Sequence, residues 1–97
     1  MANYIVLMNY TEQGLQNVHE SPARADAVRQ LAARLGGEVK DLYLTMGPYD
    51  LVAIVEAPND EVVAKVALAL GSKGNVTTTT LRAFGESEFR DIVGSLA

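Results

Sequence analysis

Tyr4-Ile5-Val6-Leu7-Met8 is an unbroken apolar run, bounded by Asn9 and Gly14, and predicts a strand buried on both faces. Residues 11–21 turn polar and form a connection carrying His19, with a short helical turn expected at 15–18. Ser21-Pro22 opens a helix, because the serine can cap the first turn and proline at the first helical position forfeits no hydrogen bond. Ala27, Val28, Leu31 and Leu35 keep helical spacing until Gly36-Gly37 ends the element. A second strand is predicted over 38–46, and Gly47-Pro48-Tyr49-Asp50 makes a type I or II turn leading to a hairpin partner over 51–55, apolar at every position. Pro58-Asn59-Asp60-Glu61 sets anionic residues at the positive end of a second helix with Val63, Val66, Ala67 and Leu70 on one face, closed by Gly71 and Gly74. Residues 75–83, rich in β-branched threonine, read as a fourth strand, and 86–96 as a short final helix.

The order strand, helix, strand, strand, helix, strand is the split βαβ arrangement: an α+β, ferredoxin-like βαββαβ sandwich with a four-stranded antiparallel sheet and a short C-terminal helix. At 97 residues the chain is expected to form a single domain, 1–97. In this topology the first and third strands are central, and both helices lie on one face of the sheet. The other face should be polar if it meets water. The central strands do not alternate: Ile5 and Leu7 oppose Tyr4, Val6 and Met8, and Val52 and Ile54 oppose Leu51, Ala53 and Val55. Covering a few such side chains is worth about 1.5–3 kcal/mol each, so a second copy stacked sheet to sheet is the expected cover. The alternatives are a tail folded over the sheet, or tyrosine and methionine tolerated at the surface.

Composition narrows the chemistry. With no cysteine and one histidine, there is no disulfide, zinc–thiolate site, iron–sulfur cluster or two-histidine metal site within one chain, and no metal or cofactor is expected. A formal charge of −4 has the wrong sign for a phosphate-backbone binder. The first helix offers no basic stripe either: with Val28 at the centre of its buried face, Arg24 falls at about −40°, Arg29 near 100° and Arg34 near −120°. No apolar run approaches the roughly 20 residues that span a bilayer, and the start shows no signal-peptide pattern. The expected location is cytoplasmic, with neither nucleic acid nor membrane as partner.

Arg24, Leu35-Gly36-Gly37-Glu38-Val39, Gly47-Pro48-Tyr49-Asp50, Ala57-Pro58-Asn59-Asp60-Glu61 and Gly74-Asn75-Val76 with Thr78, Thr80-Leu81-Arg82-Ala83-Phe84 resemble the GYD domain family, named for the residues matched by Gly47, Tyr49 and Asp50. The resemblance implies a dimeric α+β barrel. That group includes cofactor-independent monooxygenases, isomerases, haem enzymes and amino-acid-sensing effector domains. It supplies no catalytic residue, since the family has no established reaction and fold alone does not supply function.

Several residues are candidates for ligand binding. Arg24 lies on the core-facing side near its helix start, where the guanidinium either anchors a ligand or interface, or lets its stem pack inward while the head reaches water or an acid. His19 could be a general base or haem ligand, or an ordinary exposed loop histidine. Gly47, Pro48 and Asp50 shape the turn, leaving Tyr49 to pack on a neighbour or close a pocket. Tyr4, Tyr10, Tyr43 and the hydroxyls of Thr77 to Thr80 could line a cavity, and Arg82 would be a second anion contact if it points to the barrel side. The expected function is an oligomeric module binding a small, weakly polar or anionic molecule. A cofactor-independent monooxygenase or isomerase, and a purely structural assembly, are the competing readings.

Overall fold

The structure, a computed structural model, describes residues 1–96. Strand β1 (Ala2–Tyr10) is followed by a short helix α1 (Glu12–Gln16), a single 3-10 turn (Val18–Glu20) and helix α2 (Ser21–Arg34). Strands β2 (Glu38–Leu44) and β3 (Leu51–Ala57), helix α3 (Asp60–Ser72), strand β4 (Val76–Ala83) and helix α4 (Glu86–Gly94) complete it. The sheet order is β2-β3-β1-β4, antiparallel throughout, as the split βαβ pattern requires.

The register fixes which side chains share a face. Tyr4 pairs with Val55 and Arg82, Val6 with Ala53 and Thr80, Met8 with Leu51 and Thr78. These residues face the helices, and Tyr4, Val6, Met8, Ala53, Val55 and Val63 form the centre of the core. The opposite face carries Ile5, Leu7, Val52 and Ile54, only half-buried, with Leu81 and Tyr43 exposed beside them. The smallest dimension of the molecule is 18 Å, the thickness of one helix layer on one sheet. Nor does the tail cover this face: Phe89, Ile92 and Val93 of α4 are 58%, 46% and 48% exposed.

Three local features differ from the sequence expectation. The connection after β1 starts a helix at Glu12, capped by Thr11, whose hydroxyl accepts from the Gly14 amide at 3.1 Å. Glycine is a poor helix former, but here its missing side chain lets α1 lie on the Asn75 backbone. Ser21 does not cap α2; its hydroxyl is engaged with Tyr10 and Arg24 instead. Strand β2 ends two residues sooner than expected, at Leu44, while β3 starts at Leu51 as expected and runs on to Ala57, leaving residues 45–50 as the connection, with Gly47 at φ 112°. Asp50 then ties this connection to β1: its carboxylate accepts from the Tyr10 amide at 2.9 Å, and its own amide donates to the Met8 carbonyl at 2.9 Å.

Candidate functional site

Helix α2 carries alanine at five of its fourteen positions, and Ala32, near its C-terminal end, is its one buried residue. Small side chains there cannot fill the space that a helix axis normally keeps above a sheet. A cleft of about 790 Å³ results between α2, α3 and the helix-facing side of the sheet. Val6 and Met8 of β1, Ala53 and Val55 of β3, and Val63 and Val66 of α3 supply much of its apolar wall. Its size falls within the range of small-molecule sites.

One end of the cleft is polar. The Tyr10 and Ser21 hydroxyls are 2.8 Å apart, and Arg24 donates to the Ser21 hydroxyl at 3.2 Å and to the Asn17 carbonyl at 3.1 Å. The Arg24 side chain is one-quarter exposed, and its ion pair with Glu20 is long, at 3.5 Å. Arg24, Arg29, Arg34 and Lys73 all line the cleft, four of the eight basic residues in the chain, while none of the twelve acidic residues does. The helical angles of the three arginines did not suggest a shared cationic surface. The cleft gathers them because it borders α2 on more than one flank and guanidinium stems are long.

A smaller cleft of about 330 Å³ lies among Tyr4, Asp60, Val63, Ala64, Thr80 and Arg82. Tyr4 is 3% exposed and donates its hydroxyl proton to the Asp60 carboxylate. That hydrogen bond, then burial, then the negative charge of Asp60 push the phenol ionisation above its ordinary value, with Arg82 pulling the other way. Arg82 lies on the helix-facing side by register, opposite Tyr4. Its guanidinium sits 4.5 Å from the Phe84 ring centroid and 5.6 Å from that of Tyr4, donates to the Asn3 and Ala83 carbonyls, and meets Glu88 at 4.0 Å.

Of the five ligand-binding candidates, the clefts therefore take up Arg24 and Arg82, at different sites. His19 is exposed in the 3-10 turn and lines neither cleft. The convergence of His19 with a tyrosine, which the oxygenase or isomerase reading needs, is absent from both. Tyr43 pairs with Val52, so it points to the face away from the helices, 54% exposed. Tyr49 is half-buried in the hairpin connection, where its carbonyl accepts from the Thr45 hydroxyl at 2.7 Å. Gly47 and Pro48 are exposed in the same connection. Among the described residues no cluster of three His, Asp or Glu side chains is placed to hold a metal.

The profile of the GYD domain family matches residues 4–93. The chain belongs to that family. A curated relative of this GYD domain, from Thermus thermophilus, is the "Glutamine synthetase and cystathionine beta-lyase binding protein", 39% identical over 84 residues that cover 86% of this chain and 88% of the relative. Among solved structures, TTHA0845 from the same organism is similar with a TM-score of 0.56 and 30% identity, over 88% of this chain and 95% of the other. A feast or famine regulatory protein from M. tuberculosis superposes on the GYD domain with a TM-score of 0.67 at 15% identity, over 88% of this chain and 51% of that one, a likeness of fold.

Proposed function

We propose that this GYD domain is a cytoplasmic, homo-oligomeric binding protein that takes a small, largely apolar molecule into the cleft between α2, α3 and the sheet. The observation that carries the reading is the 790 Å³ apolar cleft whose charged lining is entirely cationic. 1-Anilinonaphthalene-8-sulfonate, an apolar anion, is expected to fluoresce in the presence of the folded protein. Ala67→Phe, which pushes a ring into the cleft from α3, should abolish most of that signal while the thermal transition stays cooperative. An unchanged signal in Ala67→Phe would sink the reading.

The oligomer is assigned to the uncovered sheet face. Placing glutamate at Ile54, whose side chain sits on that face, leaves the helix-packed core untouched but sets a charge in the centre of a sheet-to-sheet interface. Light scattering is expected to give at least twice the subunit mass for the parent and a monomer for Ile54→Glu. A parent that is monomeric at all concentrations rejects the assembly.

A second reading makes other proteins the partners. The Thermus relative is named for binding two enzymes, and α4 presents Phe89, Ile92 and Val93 to solvent. The two readings place contact at different elements, so Ala67→Phe separates them.

A further inference from the structure

Resting on the cleft reading above, we infer that the ligand is an amphipathic monocarboxylate, its head held by Tyr10, Ser21 and Arg24 and its apolar body laid along β1. Arg29, Arg34, Lys73 and Asn75 also line the cleft, but three of its polar side chains are joined by hydrogen bonds. Tyr10, Ser21 and Arg24 cluster at one end, the Ser21 hydroxyl lying 2.8 Å from that of Tyr10 and 3.2 Å from the Arg24 guanidinium. A guanidinium beside two hydroxyls, one of whose protons is spent on the bond between them, offers charge-assisted donors and one neutral donor to a carboxylate, and would repel a cationic head. Among the described residues Glu20 is the only acid on Arg24; it is 70% exposed, its contact is 3.5 Å, and it does not line the cleft. An exposed pair of this kind contributes little, so an incoming carboxylate, partly withdrawn from water, displaces it.

The other end sets the body of the ligand. From Tyr10 the cleft floor continues through Met8 to Val6, three side chains on one strand face separated by four residue steps. At about 3.4 Å per residue this is roughly 13 Å, and with carbon–carbon bonds of about 1.5 Å an extended chain of about ten carbons covers it. The walls flanking that path, Ala53, Val55, Val63 and Val66, hold no polar side-chain atom that would ask for a hydroxylated or zwitterionic body. A free amino acid, with an ammonium beside its carboxylate, would bring a cation toward Arg24 with no acid of the cleft to receive it.

Calorimetric titration with decanoate and with 1-decanol, on the parent and on Arg24→Gln, tests this. The parent is expected to bind decanoate about tenfold or more tightly than decanol, the scale of one charge-assisted hydrogen bond. Arg24→Gln should bring the two to similar affinity while decanol binding is retained, which also reports that the cleft is intact. Arg24→Lys, which keeps the charge and loses the fork, should fall between them. Equal affinity of the parent for both molecules, or a decanoate preference that survives in Arg24→Gln, overturns the carboxylate assignment and leaves the cleft reading standing. Binding of neither molecule by the parent overturns both.

Discussion

Gly14→Ala is expected to be among the most damaging single changes in the chain. A Cβ at this position would lie 1.9 Å from the Asn75 carbonyl oxygen and 2.9 Å from its carbon, backbone atoms that cannot swing aside as a side chain does. The carbonyl is also fixed from the other side, accepting from the Thr11 amide at 3.0 Å. Around it α1 is tied down by the Thr11 hydroxyl on the Gly74 carbonyl at 2.6 Å and the Gln13 side-chain amide on the Lys73 carbonyl at 2.9 Å. Alanine must therefore lift α1 off the 73–75 segment and break that set of bonds at once. A loss of about 3 kcal/mol or more is expected, read as a fall in Tm of at least about 12 °C. Gly71→Ala makes the sign contrast: nothing lies within 4 Å of where its Cβ would stand, it is helical in α3, and the change should stabilise by about 0.5–1 kcal/mol. Thermal unfolding of both variants checks the pair, and a Gly14→Ala protein as stable as the parent would mean that α1 does not lie on Asn75.

The second large effect is expected at Tyr4, which packs in the core at 3% exposure while its hydroxyl reaches Asp60. Tyr4→Ala removes an aromatic ring from the core and should lower Tm by at least about 12 °C. Tyr4→Phe keeps the ring and removes the donor, leaving the Asp60 carboxylate without it, and should cost about 4–8 °C. The pH dependence separates the two contributions further. The phenol ionises above its ordinary value in the folded protein, so the folded state holds this proton more tightly than the unfolded chain. The associated stability is fully present below the unfolded value of about 10 and is lost as pH rises through the higher folded value. The parent should thus lose Tm more steeply than Tyr4→Phe above about pH 10. Parallel alkaline curves would contradict the Tyr4–Asp60 arrangement.

Most of the fold was legible because hydrophobic periodicity and turn chemistry agree along this chain. The unbroken runs at Tyr4 to Met8 and Leu51 to Val55 identified the central strands, and Asn59, whose side chain accepts from the Val62 amide at 3.0 Å, opens α3 in the segment that the proline and acidic residues marked. A helical turn was expected in the connection after β1, but not the start of α1 at Glu12, since glycine argues against a helix unless a distant backbone needs the space, and Asn75 is 61 residues further along the chain. Ser21 carried a correct local signal for a helix start, but its hydroxyl found partners in Tyr10 and Arg24 across the β1–α2 connection. For the candidate site, helical angle alone placed Arg24 toward the core, and strand parity put Tyr4, Val6 and Met8 on one face. What periodicity could not show is the width left between an alanine-rich helix and the sheet, or that this width brings Arg29 and Arg34 to the same opening. His19 and Tyr43 had chemistry but no positional argument, and the structure leaves both outside the clefts.

The sheet register also bears on how the chain is made. Strand β1 sits between β3 and β4, pairing Met8 with Leu51 and Tyr10 with Val76. Its neighbours on both sides are synthesised much later, the last of them when Ala83 emerges. Pairing over such long separations carries a loop-closure cost before any contact rewards it, which slows folding. Within this domain the apolar run Tyr4 to Met8 is therefore made before either neighbour and stays unpaired until Leu51 to Ala57 has emerged, so its protection during synthesis is a demand set by topology rather than by the stability of the finished molecule.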